Sequence, residues 1–430
     1  MIRVLIFTLS FLFSTNSGFA KEITVAILGA MPTGWEEQDF GQTVLNLTRA
    51  AEKKGDEIII AAPFKMNFIN GKNPDLSYFR LEDLDQVEGL MKKLKEKTKS
   101  GDTVNLLLYG HGVPTTNEKD YNETKIQLGS ERVEMNDLIE IVNDTLPLDR
   151  GIKTIAPFCF SGSVHLLSHS RKNSCSTAAS DFRTPSEGES SCFFGSCEAI
   201  SSYGMSISKL IKENPEISLS QAHEIISEKD HLNNRRGQLS SIDYIQRIFK
   251  KGPYKVRKSF FGRMFSDYPD ETPDKNYLSK SCENISNPEN LVVAQLDDLF
   301  EKTRVILENF NIDNLFVEGV PKVVKDSMTE NFDRYKDGFE EESKSLSEVH
   351  QNISYNISEY NKELNEKGFA NWEETKFINR LKDELNQKTN EILRYHLYKE
   401  RIELINLLYK KGKKSQIEKF ENLVMCENNG

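Results

Sequence analysis

Two apolar segments, each running straight into a reactive residue, constrain this chain more than any other feature. The first, Thr103-Val-Asn-Leu-Leu-Leu-Tyr109, leads into Gly110-His111-Gly112. The second, Ile152-Lys-Thr-Ile-Ala-Pro-Phe158, leads into Cys159-Phe160-Ser161-Gly162. Short apolar runs bounded by Gly and turn residues suit strands buried on both faces of a parallel sheet. Between them Met135 to Val142 has helical spacing, so the unit reads as strand, crossover helix, strand. In such sheets the functional crevice lies beyond the carboxyl ends of the strands. His111 and Cys159 fall there, on neighbouring strands if the crossover is simple.

An imidazole beside a thiol is the minimum equipment for a cysteine nucleophile. The imidazole supplies the thiolate and then protonates the leaving amine. Taken singly, Cys159 would be a small buried hydrophobe and His111 a solvated strand-end residue. Together, at neighbouring strand ends with glycines behind both, they fit the catalytic reading better.

The rest of the first half alternates in the same manner. Strands are predicted at Ile23 to Ala30 and Glu57 to Ala62, helices at Gln42 to Lys54 and Leu81 to Lys99, and a loop over Pro63 to Tyr78. This alternation favours a mostly parallel sheet covered by helices on both faces. After Cys159, Gly162 to His169 is expected to turn into a helix whose N-terminus would favour thiolate. Ser174 to Asp181 is the next expected strand, with Phe182 to Ser191 as loop. Helices are expected at Cys197 to Lys212 and Leu219 to Ser227, and Arg236 to Phe249 closes the domain as strand or helix.

From Asn287 the character changes. Asn287-Pro288-Glu289 is a helix start with a capping side chain and Pro in the first turn. Val324, Met328, Phe332, Tyr335 and Phe339 recur at helical spacing, and so do Leu385, Ile392, Ile402 and Ile405 after a break at Gly368. A long helical hairpin or small all-α bundle is expected, its apolar stripe forming its own core. Lys410-Lys411-Gly412-Lys413-Lys414 reads as a solvated turn between helices. The expected organisation is a processing segment at 1–20, an α/β domain at 21–255, a linker at 256–284 and a helical domain at 285–430.

The two strand endings resemble the caspase-like cysteine peptidases, the group of legumains, caspases, metacaspases and gingipains. Legumain-type enzymes match best, because Thr33-Gly34-Trp35 after the first strand and Thr177-Ala178-Ala179 accompany the dyad. The resemblance covers roughly residues 23 to 250. It implies a caspase-like fold and a cysteine endopeptidase that needs no cofactor. His111 and Cys159 are then the catalytic pair, and the amides of Gly112 and Cys159 the oxyanion donors. Loss of one such donor typically raises the barrier by about 2.7–4 kcal/mol. Legumains also carry a helical C-terminal segment over the catalytic face, so contact between the helical domain and that face is an expectation here.

Two departures matter. The acid that legumains carry two residues before the nucleophile is Pro157 in this chain. Their other pocket acid aligns with Ser196, in Phe193-Phe194-Gly195-Ser196. Preference for Asn or for a basic residue is therefore not inherited. Ser180, Asp181 and Ser196 are the candidate substrate contacts, with Glu187 and Glu189 on the same loop. The missing acids motivate the alternatives of a catalytically inactive binding module, or a scaffold that displays the helical domain.

Residues 1–20 read as a signal peptide: Arg3, an apolar run from Val4 to Phe13, and small residues at Gly18 and Ala20. The mature chain is expected near Lys21, exported to a periplasm or secreted, with no membrane insertion. The net charge of −10 becomes −11 when Arg3 is removed, which argues against nucleic acid as a partner. A protein or peptide substrate is the expected partner. His165 and His169, spaced i and i+4, have no evident third ligand and read as helix surface; His223, His231, His350 and His396 read as solvated. Six cysteines occur, at 159, 175, 192, 197, 282 and 426, with no zinc-type spacing. Export permits disulfides, and Cys282 and Cys426, which bracket the helical domain, are the expected pair.

Overall fold

The computed structural model describes residues 21–29, 35–63, 77–113, 124–129, 131–180, 189–193, 196–229, 238–251, 304–305, 307, 311–337 and 398–429. The side chains of 35–39, 189–201 and 228–229 are not among those described. The signal segment, Thr33-Gly34, Asp181, Glu187, the linker, Cys282 and His231, His350 and His396 lie outside these residues. The described chain divides into two compact units. The first holds residues up to Ile226, Asn234–Tyr244 and Cys426–Gly430; the second holds Ser227–Asn233 and Ile245–Met425.

The first unit is a three-layer α/β structure. Its strands are β1 (Glu22–Leu28), β2 (Glu57–Ala62), β3 (Ser77–Arg80), β4 (Thr103–Tyr109), β8 (Gly151–Ala156), β9 (Ser174–Ala178) and β12 (Gln238–Leu239). They form one seven-stranded sheet in the order β12-β9-β8-β4-β1-β2-β3. Every neighbouring pair is parallel except β12 with β9. Central strands such as β1 (EITVAIL) and β2 (EIIIAA) are apolar almost throughout because helices cover both faces.

On one face Val25, Ile59, Leu106 and Leu108 pack against α2 (Leu84–Lys97), α3 (Met135–Thr145) and Leu167 of α4 (His165–Ser170). On the other, Ala26, Ile60, Leu107 and Ile155 pack against α1 (Trp35–Lys54), α5 (Tyr203–Glu213) and α6 (Leu219–Lys229). Helix α2 begins where Asp83 accepts a hydrogen bond from the Gln86 amide, 2.9 Å. It buries Val87, Leu90, Met91 and Leu94, one stripe at helical spacing.

Three features differ from the sequence reading. A small antiparallel sheet of β5 (Gly112–Val113), β6 (Lys125–Leu128) and β7 (Glu131–Glu134) lies between β4 and α3. The segment from Ser196 to Ser201 is a strand, β11, paired antiparallel with β10 (Glu189–Phe193); the helix expected there starts only at Tyr203. Ser202 explains that start, because its side chain caps the Met205 amide. The third is β3, which takes Ser77 and Tyr78 out of the expected loop and into the sheet. The span 236–249, expected as strand or helix, holds both, β12 followed by α7 (Ser240–Ile248).

The expected Cys282–Cys426 bridge is not formed. Cys426 is bonded to Cys175 on β9, with Cα atoms 5.7 Å apart across 251 residues of sequence. Both sulfurs lie in the apolar layer beside Ile155 and Ala179, where a pair so distant in sequence is brought together only by the tertiary fold.

Arg171, directly after α4, is among the largest fully buried side chains. It donates to the carbonyls of Leu146 (3.0 Å), Pro147 (2.5 Å) and Arg150 (3.2 Å), and to Asn143 Oδ1 (3.2 Å). The guanidinium thus serves the unsatisfied carbonyls at the carboxyl end of α3 and the turn into β8. Burial pushes its pKa down to about 10, so it stays charged at neutral pH.

In the second unit, helices α8 (322–337) and α9 (398–411) bury Val324, Met328, Phe332, Tyr335, Ile402 and Ile405, the stripe read from sequence. Phe332, Tyr335 and Tyr398 meet with ring centroids 5.6–5.9 Å apart. Gly412 separates α9 from α10 (Lys414–Asn428), and the flanking lysines are exposed.

Two predictions follow from these contacts. Arg171→Ala strands several buried carbonyls, so urea denaturation should register a loss of about 3 kcal/mol. Leu148→Ala, at an exposed position, should stay within about 0.5 kcal/mol. The second concerns acid. Burial works to raise the Glu22 carboxyl, but Asn105 (2.9 Å), Lys153 and Lys54 outweigh it and hold it below the usual value. A carboxyl depressed in the folded state stabilises above its unfolded pKa, about 4.5, and loses that contribution as pH falls through the folded value. Urea midpoints of the wild type should therefore drop more steeply below about pH 4.5 than those of Glu22→Gln.

Candidate active site

The chain crosses from β1 to β2 and β3 on one side, and through β4, β8 and β9 on the other. The reversal falls between β1 and β4, and ligand crevices of open α/β sheets form at the carboxyl ends beside such a reversal. His111 follows the end of β4 there, and Cys159 follows the end of β8, its direct neighbour. His111 is exposed and Cys159 half-buried, outside any disulfide.

The His111 segment is fixed by its backbone. Its carbonyl accepts from the Gln127 amide (2.9 Å), and Gly112 pairs with Ile126 as β5 begins. Just before it, Tyr109 O accepts from the Gly29 amide (2.7 Å), so the end of β1 braces the same turn.

Gly112 makes the decisive approach. A Cβ at this position would lie 1.6 Å from the carbonyl oxygen of Cys159 and 3.0 Å from the Phe158 ring. Only glycine lets the chain after His111 lie directly on the backbone of Cys159. The two sequence motifs are therefore one place in the fold.

Behind Cys159 the chain turns sharply. Phe160 adopts the left-handed conformation (φ 59°, ψ 27°), which a side chain of its size rarely enters. The cost, of order 1–3 kcal/mol, is one that surrounding structure must hold in place. Ser161 and Ser180, both fully buried, supply that hold. Ser180 Oγ donates to Phe158 O and accepts from the Ser161 amide, each at 3.3 Å. Ser161 Oγ in turn accepts from the Ser180 amide, also 3.3 Å. A 3-10 turn (Ser161–Val164) then feeds α4, the helix expected after the cysteine.

Of the candidate substrate contacts, Ser180 is 1% exposed and underpins the Cys159 loop. Ser196 opens β11, and Asp181 lies outside the described residues. Pro157, where legumains carry an acid, is packed against the first turn of α5: a Cβ on Gly204 would lie 3.0 Å from the Pro157 ring.

The histidines read as surface residues are corrected. His165 is fully buried and its Nδ1 meets Ser176 Oγ at 2.8 Å; His169 Nε2 reaches the Ser240 carbonyl at 3.0 Å. His165 faces β9, on which α4 packs, and His169 faces the start of α7. His223 is 1% exposed, with Nδ1 on Tyr203 (2.8 Å) and Thr177 (3.0 Å). Its apolar neighbours on α6, Ala222 and Ile226, were the signal that this position faces inward. No group of three His, Cys, Asp or Glu residues among those described is arranged to hold a metal ion.

Comparisons with known proteins add little. No family model matches the chain, and no curated protein does. Among solved structures, the crystal structure of protein GSU0716 from Geobacter sulfurreducens is similar at a TM-score of 0.34 and 12% identity. The match spans 51% of this chain and 92% of that one, and a likeness at that level carries no functional argument.

Gly112→Ala should force the Cys159 backbone away, at a cost of about 1–3 kcal/mol in urea denaturation. Ser180→Ala should cost a similar amount by leaving the buried Phe158 carbonyl unserved.

Proposed function

We propose that this protein is an exported cysteine endopeptidase of the caspase-like, legumain-resembling kind, acting on a protein or peptide substrate without a cofactor. The observation that carries the reading is the contact of Gly112 with the Cys159 backbone, which joins the two strand-end motifs at the carboxyl edge of a parallel sheet. In this reading His111 takes the Cys159 proton. The thiolate adds to the scissile carbonyl, and the Gly112 and Cys159 amides receive the oxyanion. Collapse expels the amine, which leaves with the proton from His111, and water then hydrolyses the thioester.

Export is supported by the Cys175–Cys426 bridge, since structural disulfides persist in oxidising compartments. No helix among the described residues is long and apolar enough to cross a membrane. Pro157 and Ser196 leave the P1 preference uninherited from legumains.

A second reading, a caspase-like binding module or scaffold for the helical unit, draws on the same Pro157, whose ring packs on α5 where a pocket acid would stand. A binding module has no use for both His111 and Cys159. The two readings separate on a fluorogenic peptide library assayed with the mature chain. Cys159→Ala and His111→Ala should each lower turnover by about a thousandfold or more while circular dichroism stays native. Turnover by Cys159→Ala near that of the wild type would defeat the mechanism, and absence of turnover in every form would favour the module.

A further inference from the structure

The last residues of the chain belong to the first unit, where they meet β8, β9 and the start of α7. Cys426 is bonded to Cys175, and Asn429 O accepts from Lys153 Nζ at 2.9 Å. Between these anchors lies Glu427, a carboxylate only 1% exposed. A buried carboxylate is costly unless donors surround it. Here Oε1 accepts from Ser240 Oγ (2.6 Å) and the Ser241 amide (2.7 Å), and Oε2 accepts from Ser241 Oγ (2.5 Å).

Ser240 does not end the chain of contacts. Its Oγ accepts from the Ser176 amide at 3.1 Å, and its carbonyl faces His169 Nε2 at 3.0 Å. A carbonyl only accepts, so His169 carries its proton on Nε2. Ser176 Oγ meets both His165 Nδ1 and Ser168 Oγ at 2.8 Å. The Asp243 carboxylate, 3.7 Å from His169 Nε2, and the Tyr244 and His165 rings also face His169. His165, Ser168 and His169 are three of the six residues of α4. That helix continues directly from the turn that holds Cys159.

We propose that Glu427 is a positioning residue for Cys159, acting through Ser240 upon His169 and, by way of Ser176, upon His165, with the Cys175–Cys426 bridge holding it in register. The inference rests on the nucleophile reading of Cys159. It has a structural corollary: the final residues of the helical region are part of the unit that carries Cys159. Truncation of everything after the α/β domain removes Cys426 and Glu427 together.

The test is the rate of Cys159 alkylation by iodoacetamide in the full mature chain, read by peptide mapping at 25 °C, where circular dichroism verifies folding. Glu427→Ala should slow it by about tenfold, since small displacements of a reacting group have large effects on rate. Glu427→Gln, which keeps an acceptor for Ser240 and Ser241, should recover it to within about threefold. The His169 imidazole NMR signals should move in Glu427→Ala and return in Glu427→Gln. If Glu427→Ala does not fold, Ser240→Ala interrupts the same path and should give the same slowing. Unchanged Cys159 rates in these variants, with a wild-type rate that depends on His111, would overturn the inference alone. A wild-type Cys159 no faster than in urea-unfolded chain would overturn the nucleophile reading and the inference with it.

Discussion

The approach of Gly112 to the Cys159 carbonyl is the constraint on which the rest of the site depends. Strands β4 and β8 are neighbours in the sheet, but neighbouring strands usually diverge once the ladder ends. Here the chain leaving β4 turns back across the end of β8, and the absence of a side chain at residue 112 permits it. The small sheet of β5, β6 and β7 holds that return in place, through the Gln127 amide on the His111 carbonyl. On the other side, the left-handed Phe160 and the reciprocal Ser161–Ser180 bonds fix the carbonyl that Gly112 meets. A site built this way is held by backbone on both sides, which suits a reaction that needs fixed donors for a developing oxyanion.

Much of this was legible in the sequence because the central sheet is so apolar. Strands β2 and β4 fall at the residues where their apolar runs begin and end, and α2 and α3 follow from spacing alone. What escaped notice was weakly patterned. Strands β6 and β7 are four residues each, with Lys125, Gln127, Glu131 and Glu134 among them, so no alternation of useful length exists. The segment from Ser196 to Ser201 sits against a helix start, and helical spacing alone places that start six residues early, at Cys197. Burial of His165 depends on which face of the six-residue α4 meets the sheet, which so short a stretch does not encode.

The cysteines make the same point. Chain order suggested that Cys426 closes the helical region upon itself. The fold instead returns the chain terminus to β9, so Cys175, Cys426 and Glu427 stabilise the α/β unit from its far end. Polar groups buried around β9 are answered by one another, Ser176 with His165 and Ser168, Thr177 with Tyr203 and His223. Such networks specify one arrangement when every member is satisfied. Strand β9 lies next to β8, the strand that leads into the Cys159 turn, so this order borders that turn.

The central claim is that His111 and Cys159 act as one reactive unit. It is tested most directly by exposing the chain without residues 1–20 to a peptidyl acyloxymethyl ketone and locating the adduct by mass spectrometry. A single adduct on Cys159, lost when His111 is replaced by Ala, is the predicted result. Labelling of Cys159 that persists without His111, or no labelling of Cys159 by any peptidyl sequence, would contradict it.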